Sequence, residues 1–271
     1  MAVDLYPKFK AIHPIYRFDD RSLRLGDVPG IAVDVEDEIG FVSELTKMLD
    51  GSRSVEVIHN ELLLKYRELD LEDVQEAIDE LNTLGFIENE SFGTQNSLTD
   101  RQRERYKANV RYFSFFTDAH YSPYAVQEKL LQTRVTVLGM GAFGSSILVN
   151  LTGLGFGHIR ILDFDTVELS NLNRQFMFKE GDIGRKKIEV AQTFVNEFNS
   201  DLAIETLSVQ LRSVDEIRTA IQGSDLVLLA ADQPFVILQR MVNQACVELG
   251  IPLIGGGINL TEGMVYTIIP G

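Results

Sequence analysis

Arg134-Val-Thr-Val-Leu138 runs directly into Gly139-Met-Gly141-Ala-Phe-Gly144, and an apolar helical pattern follows from Ser145 to Leu154. This order of strand, glycine turn and helix is typical of a nucleotide-binding βα unit. Glycine at these positions permits a tight turn, close approach of the backbone to a phosphate and tight helix packing. The stretch therefore predicts an α/β fold with a Rossmann-like, doubly wound sheet.

A second predicted strand, from Ile159 to Leu162, ends in an acidic residue. This residue, Asp163, lies 24 positions after Gly139. A carboxylate at such a distance can accept hydrogen bonds from a ribose. On this pattern alone, NAD and ATP are equally suitable ligands.

The segment after the second strand favours ATP. Asp163 to Gln175 is polar and irregular, whereas a dinucleotide-binding enzyme normally begins another apolar helix there. The segment supplies Arg174, and Lys187 follows 13 positions later in a helix predicted from Gly184 to Phe198. Two such cations suit an attacked ATP, because negative charge builds up on the leaving pyrophosphate. The alternative is that both are ordinary solvated charges.

A third acidic residue, Asp232, follows a strand predicted from Asp225 to Ala230. Ligands of open parallel sheets bind beyond the carboxyl ends of the strands, so Asp232 is expected at the same edge as the glycine turn. A carboxylate there can hold Mg²⁺ together with substrate phosphates. The alternative is a helix N-cap, which Asp also favours.

Taken together, residues 134–271 resemble the ThiF/MoeB and ubiquitin-activating superfamily of adenylating enzymes. The resemblance implies that ATP converts a C-terminal carboxylate to an acyl-adenylate with release of pyrophosphate, commonly in a homodimer. By this resemblance, Asp163 holds the ribose and Asp232 the magnesium, and Arg174, Lys187 and Asp232 are the catalytic residues. The implied nucleotide-binding residues are Gly139, Gly141, Gly144, Asp163, Asp165, Asn171, Arg174, Gln175 and Lys187, of which Asn171, Arg174 and Lys187 contact the phosphates.

The chain departs from the family pattern ahead of the first strand. The family usually has Arg-Tyr-x-Arg-Gln there, and its second arginine reaches the phosphates of the partner subunit. This sequence has Arg105-Tyr-Lys-Ala-Asn109, with Ala108 in place of that arginine. Arg111 and Lys107 are the candidates to replace it. The zinc-binding cysteine pairs of MoeB-like members are also absent, and the single Cys246 is expected in the core.

Residues 1–95 carry most of the negative charge. They contain 9 basic and 21 acidic side chains, so 9 − 21 = −12 of the formal net charge of −15 lies there. This charge repels phosphate and argues against nucleic acid as the main partner. No apolar stretch approaches the roughly 18 residues of a membrane span. A cytoplasmic protein without a membrane partner is expected.

The same first part is predicted to be a small α+β domain. Three β-prone runs, Ile15 to Phe18, Leu23 to Leu25 and Ile31 to Val35, indicate an antiparallel sheet. Three helical patterns follow, and the clearest begins after an Asp70 N-cap and stops at Gly85. This arrangement resembles a winged helix.

Two short segments, Met48 to Val55 and Leu84 to Ile87, resemble the PqqD-like domain that recognises precursor peptides. In that family the peptide leader adds as a strand to the edge of the sheet. A generic acidic domain that makes dimer contacts remains the alternative.

Three domains are therefore predicted: a peptide-recognition domain over 1–95, a basic helical linker over 96–133 and an adenylation domain over 134–271. The combination is similar to peptide-modifying members of the superfamily, of the microcin-adenylating and pantocin types. The leading hypothesis is an enzyme that uses ATP to adenylate a carboxylate of a ribosomally made precursor peptide. One alternative is a non-catalytic peptide-binding partner of a separate YcaO cyclodehydratase, and another is a sulfur-carrier adenylyltransferase.

Overall fold

The protein is described by a computed structural model that covers residues 5–19, 21–231, 233–234, 236–259 and 261–271. Its contacts divide the chain into two compact units, Met1–Glu128 and Lys129–Gly271. Asp232, the predicted magnesium ligand, lies outside the described residues.

The first unit contains two small antiparallel sheets. The three-stranded sheet has the order β2-β3-β4 and confirms the predicted one. The two-stranded sheet pairs β1 with β5, which lie about 80 residues apart in sequence, and local periodicity gave no sign of it. The strands are β1 (Pro7–Phe9), β2 (Ile15–Arg17), β3 (Ser22–Leu25), β4 (Val33–Glu36) and β5 (Ile87–Asn89).

Three predicted helices of this unit form where their caps and apolar periods place them. They are α1 (Phe41–Met48), α2 (Val55–Leu62) and α3 (Leu71–Thr83). Asp70 caps α3 by accepting from the backbone N–H of Asp73, whose side chain accepts in return from the N–H of Asp70. Gly85 then adopts φ +85°, a left-handed conformation that suits glycine and ends the helix. The apolar faces of the helices pack with β3 and β5 into one core.

The region predicted as a linker is helical, with α4 (Asp100–Phe113) and α5 (Pro123–Gln132). Residues 96–128 nevertheless pack with the first unit. The side chain of Glu128 accepts from the hydroxyl of Ser97 at 2.7 Å, and the fully buried Lys10 donates to the carbonyl of Thr117 at 2.5 Å. These long-range contacts give the region tertiary partners that its basic, loop-flanked sequence did not indicate.

The second unit is a doubly wound α/β layer, as the sequence predicted. Its six-stranded sheet has the order β11-β10-β9-β6-β7-β8, parallel except for the antiparallel β11. The strands are β6 (Arg134–Leu138), β7 (His158–Leu162), β8 (Ala203–Leu207), β9 (Leu226–Leu229), β10 (Leu253–Asn259) and β11 (Glu262–Ile268). The helices are α6 (Ala142–Leu154), α7 (Lys187–Phe198), α8 (Val214–Ile221) and α9 (Ile237–Leu249).

Two hydrophobic cores cover the two faces of this sheet. Alternate residues of β6 show the division: Val135 and Val137 pack with α6 and α7, whereas Leu138 packs with α8 and α9. Cys246 is fully buried in the second core, where burial raises the pKa of its thiol to about 11. It is a core residue, as predicted. Among the described residues, no helix has the length and apolar character needed to cross a bilayer.

Candidate nucleotide-binding site

The glycine turn lies at the topological switch point of the sheet. Sequence order runs outward from β6 in both directions, through β7 and β8 on one side and β9 and β10 on the other. The turn after β6 therefore opens at the crevice between β6 and β9, beyond the carboxyl ends of the strands. Ligands of doubly wound folds bind at this position.

Each glycine of the turn is required, or tolerated, for a different structural reason. Gly139 has φ +99°, and a Cβ there would lie 2.9 Å from the backbone nitrogen of Ala231. A Cβ on Gly144 would overlap the carbonyl oxygen of Gly139, so the helix packs directly on the turn. A Cβ on Gly141 would meet nothing within 4 Å. The tight turn, close packing and open backbone agree with the three predicted roles.

Gly141 is also the N-cap of α6, and no side chain caps that end of the helix. The first N–H groups of a helix have no intrahelical partner and carry partial positive charge. With open space at Gly141, these groups are free to receive an anionic ligand. The turn thus forms a backbone cradle of the kind that phosphates occupy.

Asp163 fixes the turn from the end of β7. One carboxylate oxygen accepts from the backbone N–H of Met140 at 2.6 Å, and the other accepts from that of Asp165 at 2.7 Å. Each oxygen retains a further lone pair, which a ribose hydroxyl can use. The structure therefore brings Asp163 to the glycine turn, and its contact with ribose stays a prediction.

Lys187 is linked to the same network through Asp165. Its ammonium lies 3.0 Å from the Asp165 carboxylate, and its backbone N–H donates to the Asp165 carbonyl at 3.0 Å. The lysine is 5% exposed, whereas the side chain of Asp165 is half exposed. A chain of hydrogen bonds consequently runs from Met140 through both aspartates to Lys187. It connects a buried cation to the turn through hydrogen bonds.

The polar segment between β7 and α7 is anchored at several points. The side-chain oxygen of Asn171 accepts from the backbone N–H of Glu168 at 3.0 Å, and its carbonyl accepts from the N–H of Gln175 at 2.9 Å. Val167 and Phe178 pack with α7 in a small separate core. Gln175 is 3% exposed, and its side-chain oxygen has no hydrogen-bond partner among the described residues. A buried acceptor without a hydrogen bond costs folding free energy, and a hydrogen-bond donor of a ligand could satisfy this oxygen.

Arg174 is not brought to the turn by any contact in the described part of the chain. Its guanidinium donates to the carbonyl of Ser170 at 2.9 Å and to the side chain of Asn173 at 3.0 Å. The side chain is exposed, so these contacts hold it loosely on its own loop. The predicted phosphate contact of Arg174 therefore remains a prediction.

Two neighbours of the turn received no role from sequence reasoning, although Ala231 belongs to the family motif. Ala231 packs against Gly139, and the ring of Phe143 occupies the space that a Cβ on Gly256 of β10 would fill. Both are small or apolar residues with no chemical signature. The run Gly255-Gly-Gly257 was the available signal, because glycine within a strand often marks a close approach of another group.

A separate polar cavity of about 330 Å³ lies at the other edge of the sheet. It is lined by residues at the amino ends of three parallel strands, including Arg134, His158 and Ala203. The glycine turn and Asp163 follow the carboxyl ends of β6 and β7, so this cavity is not the predicted nucleotide site.

The fold and this glycine cradle define the chain as a Rossmann-like nucleotide-binding protein. The ThiF family profile matches residues 106–271, more than half of the chain, and the chain belongs to the ThiF family. The match begins within α4 and includes α5 and the whole second unit, so the family region begins before the predicted residue 134.

Curated relatives match between about half and four fifths of the chain. The molybdopterin-synthase adenylyltransferase of Escherichia coli is 31% identical over 168 residues, which are 62% of this chain and 64% of that protein. The sulfur carrier protein ThiS adenylyltransferase of the same organism is 33% identical over 144 residues, 53% of this chain and 56% of the relative. An adenylyltransferase and sulfurtransferase MOCS3 of Culex quinquefasciatus is 38% identical, but only 31% of its length is matched.

Solved structures match the chain more fully. E. coli MccB, in a crystal structure with AMPCPP and MccA, superposes with a TM-score of 0.80 at 23% identity, over 99% of this chain and 75% of MccB. PaaA superposes with a TM-score of 0.74 at 25% identity, over 94% of this chain and 75% of PaaA. These likenesses extend the shared fold across nearly the whole chain, including the first unit.

Proposed function

We propose that this chain is an ATP-dependent adenylyltransferase that activates a carboxylate of a ribosomally made precursor peptide. The observation that carries the proposal is the hydrogen-bonded chain from the glycine turn through Asp163 and Asp165 to Lys187. It places a backbone anion cradle and a buried cation in one network. The names of the ThiF-family relatives, which are adenylyltransferases, support this activity.

The reaction requires that the carboxylate and ATP be positioned for attack and that the charge on the leaving pyrophosphate be stabilised. A carboxylate is already ionised at neutral pH, so its oxygen attacks the α-phosphorus of ATP without a general base. The bond between the α-phosphorus and the bridging oxygen breaks, and pyrophosphate leaves with the additional charge. N–H groups of α6 and the ammonium of Lys187 are suited to stabilise that charge.

Mg²⁺ is proposed to bind at Asp232. Of the acidic residues that the structure places at the turn, Asp163 already accepts two backbone N–H groups and Asp165 is paired with Lys187. Asp232 follows β9 in sequence, and residues after parallel strands are expected at the edge of the sheet where the glycine turn lies. It is therefore the carboxylate left for the metal, which would neutralise the phosphates in the way typical of magnesium sites.

The first unit, including predicted domain 1–95, is proposed to capture the peptide. Structures of MccB with the MccA peptide share the fold across 99% of this chain, which supports a peptide partner. The ThiF-family resemblance also favours a homodimer, and the need for ATP suits the cytoplasm. The winged-helix and PqqD-like interpretation of this unit belongs to the same proposal.

Exchange of labelled pyrophosphate into ATP tests the activity, with short peptides encoded beside this gene as substrates. Lys187→Ala and Asp232→Ala are expected to abolish exchange while peptide binding persists, because these residues serve phosphate and metal. Lys186→Ala is the matched control, since Lys186 contacts the hydroxyl of Ser208 at 3.1 Å and is outside the predicted set. Full exchange in both test variants would contradict the proposed roles.

A second candidate is a non-catalytic partner that delivers a peptide to a separate cyclodehydratase. Ala108 favours it, because the family usually has an arginine there. Tight peptide binding with no exchange and no binding of mant-ATP would establish this candidate.

A third candidate, a sulfur-carrier adenylyltransferase, is favoured by the names of the curated relatives. Exchange with a ThiS-like carrier and none with the peptides would establish it.

A further inference from the structure

The amino ends of β6, β7 and β8 border the polar cavity of about 330 Å³ that is separate from the glycine turn. Side chains alternate along a strand, so Arg134 and Thr136 of β6 lie on the face that packs with α8. His158 and Arg160 of β7 lie on the same face. The eight-residue α8 ends at Ile221, and the cavity opens beyond that end. The cavity is therefore a gap in the helical layer over the sheet.

Two buried hydroxyl groups form part of the cavity's lining. Thr136 and Ser224 are 1% and 9% exposed, and their side-chain oxygens lie 2.7 Å apart. The two hydroxyls carry two protons, and the hydrogen bond between them uses one. No residue in the described part of the chain accepts the other proton. A buried O–H group without an acceptor is destabilising, and an oxygen atom of a ligand in the cavity would satisfy it.

The lining also contains two guanidinium groups with unused donors. No described residue forms a hydrogen bond or an ion pair with the side chain of Arg134. Arg160 donates from Nε to the carboxylate of Glu205 at 2.7 Å. Its Nη1 donates to the carbonyls of Ala220 and Gln222 at 2.8 and 3.1 Å. Because a guanidinium has five N–H donors, the two on Nη2 are left without a partner among the described residues.

The charges of the lining favour an anion over a cation as the occupant. Glu205 is the only carboxylate that the described residues contribute to the lining, and its charge is paired with Arg160. The carboxylate of Asp225, outside the lining, accepts from the backbone N–H of Arg134 at 2.8 Å. The cavity therefore keeps the charge of the Arg134 guanidinium, and His158 adds a ring N–H that no described residue accepts. A cation would find no unpaired carboxylate in this lining.

We propose that this cavity binds a phosphate group. The oxygens of the phosphate accept from the donors that lack a described partner: the Thr136–Ser224 hydroxyl pair, Arg134, Arg160 and His158. A phosphate presents acceptor oxygens in several directions, which suits donors that come from two strands and from the loop before β9. The volume of the cavity lies in the range of small-molecule sites, so it accommodates either free phosphate or a phosphate carried by a nucleotide.

This cavity is a second site and does not rest on the proposed function. It lies at the amino end of β6, whereas the glycine turn follows the carboxyl end of the same strand. The five residues of β6 separate the two by about 16 Å. A phosphate held here is consequently too far away to take part in chemistry at the turn.

The proposal is tested by NMR on the full chain with its histidines isotope-labelled at Cε1. His158 is the only histidine in the sequence of the second unit, and its resonance is identified by its loss in His158→Gln. Orthophosphate is titrated at constant pH and ionic strength, with chloride as the balancing anion. We expect a saturable shift of the His158 resonance and none of the resonance of His120, an exposed histidine of the first unit. A His158 shift that is absent or does not saturate would overturn the proposal.

Variants then locate the bound phosphate. Arg134→Gln removes a charged donor and is expected to weaken orthophosphate binding about tenfold, whereas Arg134→Lys keeps the charge and should recover part of that loss. Thr136→Val removes one hydroxyl of the buried pair and should also weaken binding. Arg212→Gln is the matched control, because this exposed arginine of the second unit bonds to Gln210 and lies outside the lining. Unchanged affinity in Arg134→Gln, or an equal loss in the control, would contradict the assigned site.

Two further titrations identify the source of the phosphate and exclude the glycine turn. Tighter binding of AMP than of orthophosphate assigns the cavity to a nucleotide, and equal or weaker binding assigns it to free phosphate. A His158 shift with AMP and none with orthophosphate would refute recognition of the phosphate itself. Lys187→Gln alters the proposed nucleotide site and should leave the His158 titration unchanged. Loss of the titration in that variant would place the anion at the turn, and the proposal would be wrong.

Discussion

The two units of this chain use charged side chains in different ways. In the second unit, Asp163 and Asp165 serve the backbone of the glycine turn and a buried lysine. In the first unit, Lys10 is fully buried between two carbonyl groups, and Glu88 faces an open hollow. The second unit therefore builds its candidate site from main-chain geometry, whereas the first unit builds its surfaces from side chains.

This difference determines how each region responds to substitution. A backbone cradle depends on the absence of side chains, so adding a single methyl group damages it. A side-chain network instead depends on partners that are distant in sequence, and it fails when one of them is removed.

The largest effect is expected for Gly144→Ala. The new Cβ would overlap the carbonyl oxygen of Gly139, so the turn must open. We expect a loss of about 1–3 kcal/mol in the free energy of unfolding, as for other overpacked sites, and a large loss of mant-ATP affinity. Gly153→Ala in the same helix is the control, because its Cβ would meet nothing within 4 Å and alanine favours helix. Equal nucleotide affinity in the two variants would show that the turn is not built as described.

A smaller effect is expected for Lys10→Met in the first unit. The ammonium donates to the carbonyls of Gly85 and Thr117 at 2.7 and 2.5 Å, and methionine would leave both acceptors without that donor. Urea unfolding should show a loss of about 1–2 kcal/mol. Lys47→Met, at an exposed lysine paired with Glu44, should change stability by less than about 0.5 kcal/mol. If both variants unfold alike, the buried lysine does not hold these segments together.

The smallest effect concerns the pH dependence of the first unit. Burial, and secondarily the charge of Lys10, lower the pKa of His13, which packs between the rings of Phe86 and Phe115. Because the unfolded chain binds a proton below about pH 6.5 more readily than the folded one, this histidine makes stability fall as the pH drops from 7 towards 5. His13→Phe should reduce that fall.

The measurement is the urea midpoint at pH 5, 6 and 7 for the wild type and the variant. The raised pKa of Glu88 makes stability rise as the pH falls, which opposes the effect of His13. The contribution of His13 is therefore read from the difference in pH dependence between the wild type and His13→Phe. His120→Asn, at an exposed histidine, is measured beside it as the control substitution. An identical slope in His13→Phe and the wild type would assign the acid sensitivity to other groups.

Much of the fold was predictable because its signals are local. The helix from Leu71 to Thr83 follows from an Asp70 cap, an apolar period and a Gly85 stop, and the strand before the glycine turn follows from one apolar run. Of the candidate site, the structure links Asp163 and Lys187 to the turn by hydrogen bonds, whereas it does not bring Arg174 there, and the roles of all these residues stay predictions. The packing of residues 96–128 could not be predicted, because its contacts join residues that are far apart in sequence. Ser97 is bonded to Glu128, and Thr117 is bonded to Lys10.

The sequence by itself determined the doubly wound sheet and the location of its cradle. Only glycine tolerates the backbone conformation and the close packing of this turn, so the glycines identify it. Only the tertiary structure decided that Asp163 braces the turn through Met140 and that Lys187 is buried against Asp165. It also decided that Lys8, Glu88 and Tyr124 line one hollow. Such contacts join segments that fold together for reasons of overall packing, and no local pattern of residues encodes them.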